Sequence, residues 1–432
     1  MKVYLGIILA IFFGILLPNS FGQTFEEYGV KVETVADNLH IPWEIVFSPD
    51  GRIFFTERVG NLRVIENGQL NPEPIASFSV GGGEGGLLGI ALDPNFKENH
   101  YLYLYQTYNE LFSTFNKVVR YKESDNKLSE EKIIVDKIPG ASYHDGGRIK
   151  FGPDGKLYIT TGDAGNYNLA QDINSNAGKI LRINSDGSIP QDNPFENSLV
   201  FSYGHRNPQG IDWEPNTGKL FESEHGPSGE RGVAHDEINV IEKGKNYGWP
   251  DIIGEETKNG MINPILQSGD DTWAPSGISF YSNDKIPSWN GKLFVATLRG
   301  SHLKILDVDS SQNKIVSQQD IFVNEFGRLR NIVSGPDGYL YLLTSNNDGR
   351  GSQLGNDDRI LKISPISKYK SEFSDLSPLK QYHKGVEANK ISCKENLTLV
   401  LKIDNSPACT SHKTAQKLIE RGWGNTIVQA QD

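Results

Sequence analysis

The chain has 432 residues, 45 of them glycine, and a hydrophobic share of 37%. That length allows several domains, but all-β folds of this size also occur as one unit, and the glycine content has the turn-rich texture of a β protein. The formal net charge of −11 excludes nucleic acid as a partner class, since phosphate binding needs a basic face; it suits a soluble protein that handles neutral or cationic ligands.

The chain opens with Lys2 and an apolar run over residues 3–17, followed by the small residues Ser20 and Gly22. This is the pattern of a signal peptide over residues 1–22, cleaved near Gln23. A retained anchor is the competing reading. No later stretch is long and apolar enough to span a bilayer, so the mature chain is expected to carry no transmembrane span. The expected location is outside the cytoplasm: extracellular, or in the cell envelope as a pseudoperiplasmic protein.

From there a turn-plus-strand phrase recurs six times. It reads SPDGRIFFTE, DPNFKENHYLYLYQ, GPDGKLYITTGD, EPNTGKLFESEHG, NGKLFVATLRG and GPDGYLYLLTSNNDG. Each begins with a tight-turn signal and continues as a short aromatic or β-branched run. Each is followed by another strand-like segment, such as NLRVIENG, KILRIN or RILKI. Marker residues Gly51, Tyr101, Gly155, Gly218, Gly291 and Gly338 are spaced by 50, 54, 63, 73 and 47 residues. A four-stranded blade takes roughly 40–50 residues, with insertions in loops. The spacing predicts a six-bladed β-propeller of four-stranded antiparallel blades over residues 23–366. The two longest gaps fall mid-chain, where polar residues cluster, and mark an elaborated rim.

The texture changes after residue 366. Residues 367–377 read as a polar linker, ENLTLVLKI as a strand, and residues 410–421 as a short helix capped by Thr410 or Ser411 and stopped by Gly422. Residues 367–432 are thus a linker and a small C-terminal module. Its cysteines, Cys393 and Cys409, are expected to form a disulfide in an exported protein; a partial metal site with His412 is the weaker alternative.

Several residues could carry chemistry. His144 precedes one strand of the third repeat and Asp163 ends the next, so both can lie on one rim. A carboxylate on one imidazole nitrogen fixes the tautomer and leaves the other nitrogen as a base. Taken singly, His144 reads as a structural histidine and Asp163 as a turn residue. Arg206, Asn207 and Gln209 place a charged fork and two amides within four residues; the plain alternative is a surface turn around Pro208. Glu224, Gly226, Pro227, Asp236 and Glu237 form an oxygen-rich stretch of the kind calcium favours, without an EF-hand pattern. Arg328 and Arg330 share a strand face and imply an anionic partner, or else a solvated edge. The glycine-rich loop around Glu84 lacks the Lys-Ser/Thr ending of a phosphate loop, which excludes nucleotide binding there.

Many phrases recur in the order seen in the glucose/sorbosone dehydrogenases, the soluble quinoprotein aldose sugar dehydrogenases. They include GEGGLLGIALDPNF, YHDGGRIKFGPDGKLYITTGD, YGHRNPQGI, EHGPSGERGVAHDEINVI and GRLRNIVSGPDGYLYLLTS, and the resemblance runs from about residue 41 to 363. It implies a six-bladed propeller holding pyrroloquinoline quinone (PQQ) over a calcium ion, and oxidation of the anomeric carbon of an aldose to a lactone. It implies that His144 is the base, Asp163 its orienting carboxylate, and Arg206 the cation beside the reactive carbonyl. Asn207, Gln209, Arg299, Arg328 and Arg330 become cofactor contacts, and the backbone carbonyls of Gly226 and Pro227 calcium ligands. Glu84 stands where many relatives carry Gln. A carboxylate beside an anionic cofactor must be protonated or paired, which puts a cofactor contact at Glu84 in question. A calcium-dependent lactone hydrolase and a non-catalytic sugar- or protein-binding propeller remain alternatives on the same fold. The sugar and the electron acceptor are left unspecified.

Overall fold

The computed structural model describes residues 22–229 and 232–366, together with 376–383, 386, 388, 391–394 and 397–428 of the C-terminal part. The expected signal segment, apart from Gly22, and most of the expected linker lie outside the described residues.

The chain forms the six-bladed, four-stranded antiparallel propeller expected from its repeats. The innermost strands are Pro42–Phe47, Leu87–Leu92, Ile149–Phe151, Pro208–Trp213, Pro275–Phe280 and Leu329–Ser334. Each packs on its neighbours around a closed ring. All six repeated phrases occupy one structural position, the turn from first to second strand and the second strand itself, such as Leu157–Thr161 in the third blade. In that turn Gly155 N–H donates to the Gly152 carbonyl at 2.9 Å. Gly155 has φ of +71° and open space where a Cβ would sit, so the left-handed backbone, not crowding, requires glycine.

The sixth blade is built from both ends of the propeller. Its first three strands are Leu329–Ser334, Leu340–Thr344 and Ile360–Pro365, and the fourth is Val30–Ala36, flanked by Gln23–Phe25. Val32 pairs with Ile363 and Thr34 with Leu361. Val30, Val32, Leu361 and Ile363 are all buried in the core shared with Phe294 and Leu329 of the fifth and sixth blades.

Inside the ring the inner strands are joined by polar side chains. Arg148 of the third blade lies over the Trp43 ring at 4.0 Å and forms a buried ion pair with Glu44 of the first. Its Nε donates to the Gln209 carbonyl of the fourth blade at 2.9 Å. Glu44 also accepts from the Asn331 amide of the sixth blade. Asp145, three residues before Arg148, is buried, and its Oδ1 accepts from Asn116 at 3.0 Å and from Ala141 N–H at 3.2 Å. Its Oδ2 has no partner, and burial pushes its pKa up to about 6.

A separate three-stranded sheet, Thr398–Lys402 between Pro407–Thr410 and Gly424–Val428, forms the small C-terminal module. Its helix, His412–Glu420, is capped by Ser411 and followed by Gly422 at φ of +70°. Cys393 and Cys409 are joined in a disulfide with Cα atoms 5.6 Å apart.

Two outcomes follow from this packing. Ile363→Ala should lower the unfolding free energy by about 2–5 kcal/mol, measured by urea denaturation, because it opens a cavity at the ring closure. For Asp145, the folded pKa lies above the unfolded value. Its stabilising contribution is therefore full below about 3.8 and lost as pH rises through about 6. Asp145→Asn keeps the acceptor oxygen and removes the titration. Its melting temperature should match wild type near pH 4 and exceed it at pH 7, by calorimetry.

Candidate active site

The turns of the repeated phrases lie on one face of the ring. The connections from second to third strands, and from each blade to the next, lie on the other. There they enclose a cavity of about 920 Å³. It is lined by Glu84, His144, Arg206, Gln209, Gly226, Pro227, Arg299, Arg328 and Arg330, nine residues singled out above. Asp163 and Asn207 stand immediately behind the wall.

The third blade supplies the histidine pair. His144 Nδ1 lies 2.7 Å from Asp163 Oδ1. Asp163 is itself fixed, accepting from Gly165 N–H at 2.8 Å and from the Trp249 indole at 2.9 Å. His144 has φ of +61°, an uncommon conformation for a side chain with a Cβ. A Cβ on Gly162 would collide with the His144 carbonyl, so glycine there lets the two connections approach.

The fourth blade supplies Arg206, Asn207 and Gln209. Arg206 donates to the His225 carbonyl at 3.0 Å, and its main-chain N–H to Glu224. Asn207 Oδ1 accepts from Gly146 N–H at 3.1 Å. Gln209 Oε1 accepts from Arg330 at 2.9 Å and from Ser276 at 3.2 Å. Gly226 packs so closely on the Ala234 and His235 carbonyls that no Cβ fits.

The oxygen-rich stretch divides. Gly226 and Pro227 line the cavity. Asp236 also lines it, but its oxygens are spent on Gly226 N–H, Thr272, Trp273 N–H and Ala274 N–H. Glu224 and Glu237 are not among the lining residues; burial pushes each up to about 8. Among the described residues, His205, Glu222 and Glu224 bring ligand atoms within 4.8 Å of one another, all buried and none of them lining the cavity.

The cavity is rich in positive charge. Burial pulls the pKa of Arg330 down to about 9 and lowers those of Arg206 and Arg58. Arg328 Nε donates to Asp348 at 2.9 Å. Burial would raise Asp348, but Arg330 and Arg328 hold it below the usual carboxylate range. Glu84 is paired: Arg350 lies 2.7 Å from Oε1, and His144 N–H donates to Oε2 at 3.1 Å. Burial would raise Glu84 too, but His225, the His144 N–H and Arg350 keep it low. The charge conflict raised by its sequence position is thus met by pairing.

Arg58, His225, Asp348 and Arg350 were not foreseen. A signal for the first three was present. Residues that end or directly follow the repeated phrases, Arg58, Asp163, His225, Arg299 and Asp348, reach the cavity or its wall. His225 places a buried Nε2 without a protein partner at this site.

The family model for glucose/sorbosone dehydrogenase matches residues 39–356. The aldose sugar dehydrogenase YliI of Escherichia coli is 33% identical over 365 residues, 78% of this chain and 93% of that protein. Quinoprotein glucose dehydrogenase B of Acinetobacter calcoaceticus is 34% identical over 334 residues, 66% of this chain and 67% of that one. The PQQ-bound aldose sugar dehydrogenase of Streptomyces coelicolor superposes with a TM-score of 0.70 at 35% identity, covering 81% of this chain and 99% of that structure. With a closed six-bladed ring and a histidine–aspartate pair in an arginine-lined cavity, the chain belongs to the glucose/sorbosone dehydrogenase family and is an oxidoreductase of that type.

Proposed function

We propose that this protein is a PQQ- and calcium-dependent aldose dehydrogenase that oxidises the anomeric carbon of its sugar to a lactone. The observation that carries the reading is the cavity's charge. Arg58, Arg206, Arg299, Arg328, Arg330 and Arg350 line it against Glu84, Asp236 and Asp348, in a chain of net charge −11. All three carboxylates already have partners, so the surplus cations suit a polycarboxylate ligand. Buried guanidinium groups and an unpartnered Arg330 Nε fit an anion better than a neutral occupant. The PQQ bound by the Streptomyces coelicolor relative supports the choice of quinone.

In this reading Arg328 and Arg330 hold carboxylates of the cofactor, with Arg299 beside them. Arg206, Asn207 and Gln209 flank its reactive end, and the carbonyls of Gly226 and Pro227 hold calcium. When bound, the quinone would supply a hydride acceptor and calcium a Lewis acid. The chain's own residues do the rest. Asp163 keeps the proton of neutral His144 on Nδ1, which leaves the Nε2 lone pair to take the anomeric hydroxyl proton. Arg206 opposes the negative charge that develops nearby. Lactone hydrolysis is the weaker reading, because it needs free side-chain carboxylates around a central metal, and those lining this cavity are engaged.

The same reading makes the chain an exported protein, with signal segment 1–22, propeller 23–366 and appended module 367–432. The disulfide supports an oxidising compartment.

The test is reconstitution of purified protein with PQQ and calcium, followed by an aldose screen with an acceptor dye. Turnover should require both additions, and chelation of calcium should abolish it. His144→Ala should lower kcat by about 10²–10⁴-fold with quinone affinity retained. Replacing Arg328 and Arg330 should weaken quinone affinity, with activity partly recovered at high cofactor concentration. Near-normal turnover in His144→Ala, or failure to take up the quinone, would overturn the reading.

A further inference from the structure

Glu84 and Arg350 come from parts of the chain that only ring closure brings together at the cavity mouth. Glu84 lies in the glycine-rich approach to the second blade, and Arg350 in the connection after the second strand of the sixth. Glu84 N–H donates to the Ser142 carbonyl at 2.9 Å, so its loop is tied to the segment that carries His144. The carboxylate then works in two directions. Oε2 accepts from His144 N–H at 3.1 Å, and Oε1 pairs with Arg350 Nη1 at 2.7 Å. His144 needs such a hold. Its left-handed φ of +61° is disfavoured for a residue with a Cβ, so the surrounding contacts must select it. Three of them do. Asp163 takes the imidazole at 2.7 Å, Ala164 N–H donates to the His144 carbonyl at 3.2 Å, and Glu84 takes the main-chain N–H. Arg350 is anchored in turn through its own N–H, which donates to Asp348 at 2.9 Å; Asp348 also binds Arg328.

We propose that Glu84 is a positioning residue for His144: its carboxylate fixes the main-chain N–H of the histidine, and Arg350 of the sixth blade clamps that carboxylate at the cavity mouth. The inference rests on the reading of His144 as the base and gives Glu84 a role in place of a direct cofactor contact. Without the acceptor, the His144 backbone loses one of its two hydrogen-bond restraints and the imidazole drifts from its angle to the substrate hydroxyl. A displacement of about 1 Å at a catalytic group costs about 10²-fold in rate. Glutamine retains an acceptor oxygen for the N–H but gives up the ion pair.

The experiment uses the protein reconstituted with PQQ and calcium and compares Glu84→Ala, Glu84→Gln and Arg350→Ala. Glu84→Ala should lower kcat by roughly 10–10²-fold with the sugar KM and the quinone Kd changed less than about threefold. Glu84→Gln should recover most of that loss. Arg350→Ala should fall between them, and added salt should weaken wild type in the same direction, since the Arg350 side chain is 62% exposed. A second readout needs no turnover. Amide hydrogen exchange at His144 should speed up in Glu84→Ala and stay near wild type in Glu84→Gln, with or without cofactor. The inference is overturned if Glu84→Ala keeps wild-type kcat, if Glu84→Gln loses as much as Glu84→Ala, if the alanine variant changes only KM or quinone affinity, or if exchange at His144 does not respond. Poor folding of Glu84→Ala would leave the decision to Glu84→Gln, Arg350→Ala and the salt series. Turnover that survives His144→Ala would instead bring down the parent reading.

Discussion

The buried ion pair between Arg148 and Glu44 is the constraint on which the active face depends. A charge withdrawn from water must be paired, and removing one member leaves the other stranded. Here the pair is shared among blades. Glu44 belongs to the first, Arg148 to the third, Gln209 to the fourth and Asn331 to the sixth. Propeller blades otherwise meet only their neighbours, through apolar clusters such as Phe221, Ile238, Phe280 and Leu293 between the fourth and fifth. Through Arg148 and Glu44 the bridge joins the third blade directly to the first, which is not its neighbour in the ring. Gln209 shows the effect on the site: its carbonyl is fixed from within the ring by Arg148, its side chain from the cavity wall by Arg330 and Ser276.

Above that floor the cavity is organised by electrostatics set before any ligand arrives. Its arginines are held apart by carboxylates that each serve a local purpose. Asp348 spaces Arg328 and Arg330, Asp236 gathers the Gly226 and Trp273 segments, and Glu84 joins the His144 loop to Arg350. Groups fixed in this way need no reorganisation when charge develops, which is where protein sites gain over water. The desolvated arginines are costly in isolation, and a ligand that satisfies them recovers part of that cost on binding.

The blade count could be read from the chain because its signals are local. A Pro-Asp-Gly turn and a five-residue aromatic run are decided within ten residues, and they recur wherever the fold does. His144 and Asp163 could be read for the same reason, since both flank strands of one blade. Arg328 and Arg330 followed from alternation along a strand. The closing strand Val30–Ala36 could not be read, because its partner Ile360–Pro365 lies at the far end of the propeller and nothing in its own pattern names it. Arg350 was hidden in the same way. It is one residue in a polar connection, and only ring closure brings it to Glu84. The oxygen-rich stretch after Glu224 misled by composition, since burial behind the wall removes Glu224 and Glu237 from the cavity. In the tail, the helix boundaries were legible in the Ser411 cap and Gly422, and the Cys393–Cys409 disulfide in two closely spaced cysteines of a chain expected to be exported.

The strand supplied by Val30–Ala36 has a temporal consequence. Synthesis runs from the N-terminus, so this segment leaves the ribosome before any blade is complete, and its hydrogen-bonding partner leaves after five blades have been made. Throughout that interval Val30 and Val32 form an unpaired apolar edge, and the fifth and sixth blades lack part of their shared core. The ring cannot be assembled blade by blade to completion as an open repeat array can. Its last step joins the two ends of the propeller, so any holding factor that meets the nascent protein has this early strand to shield until its partner arrives.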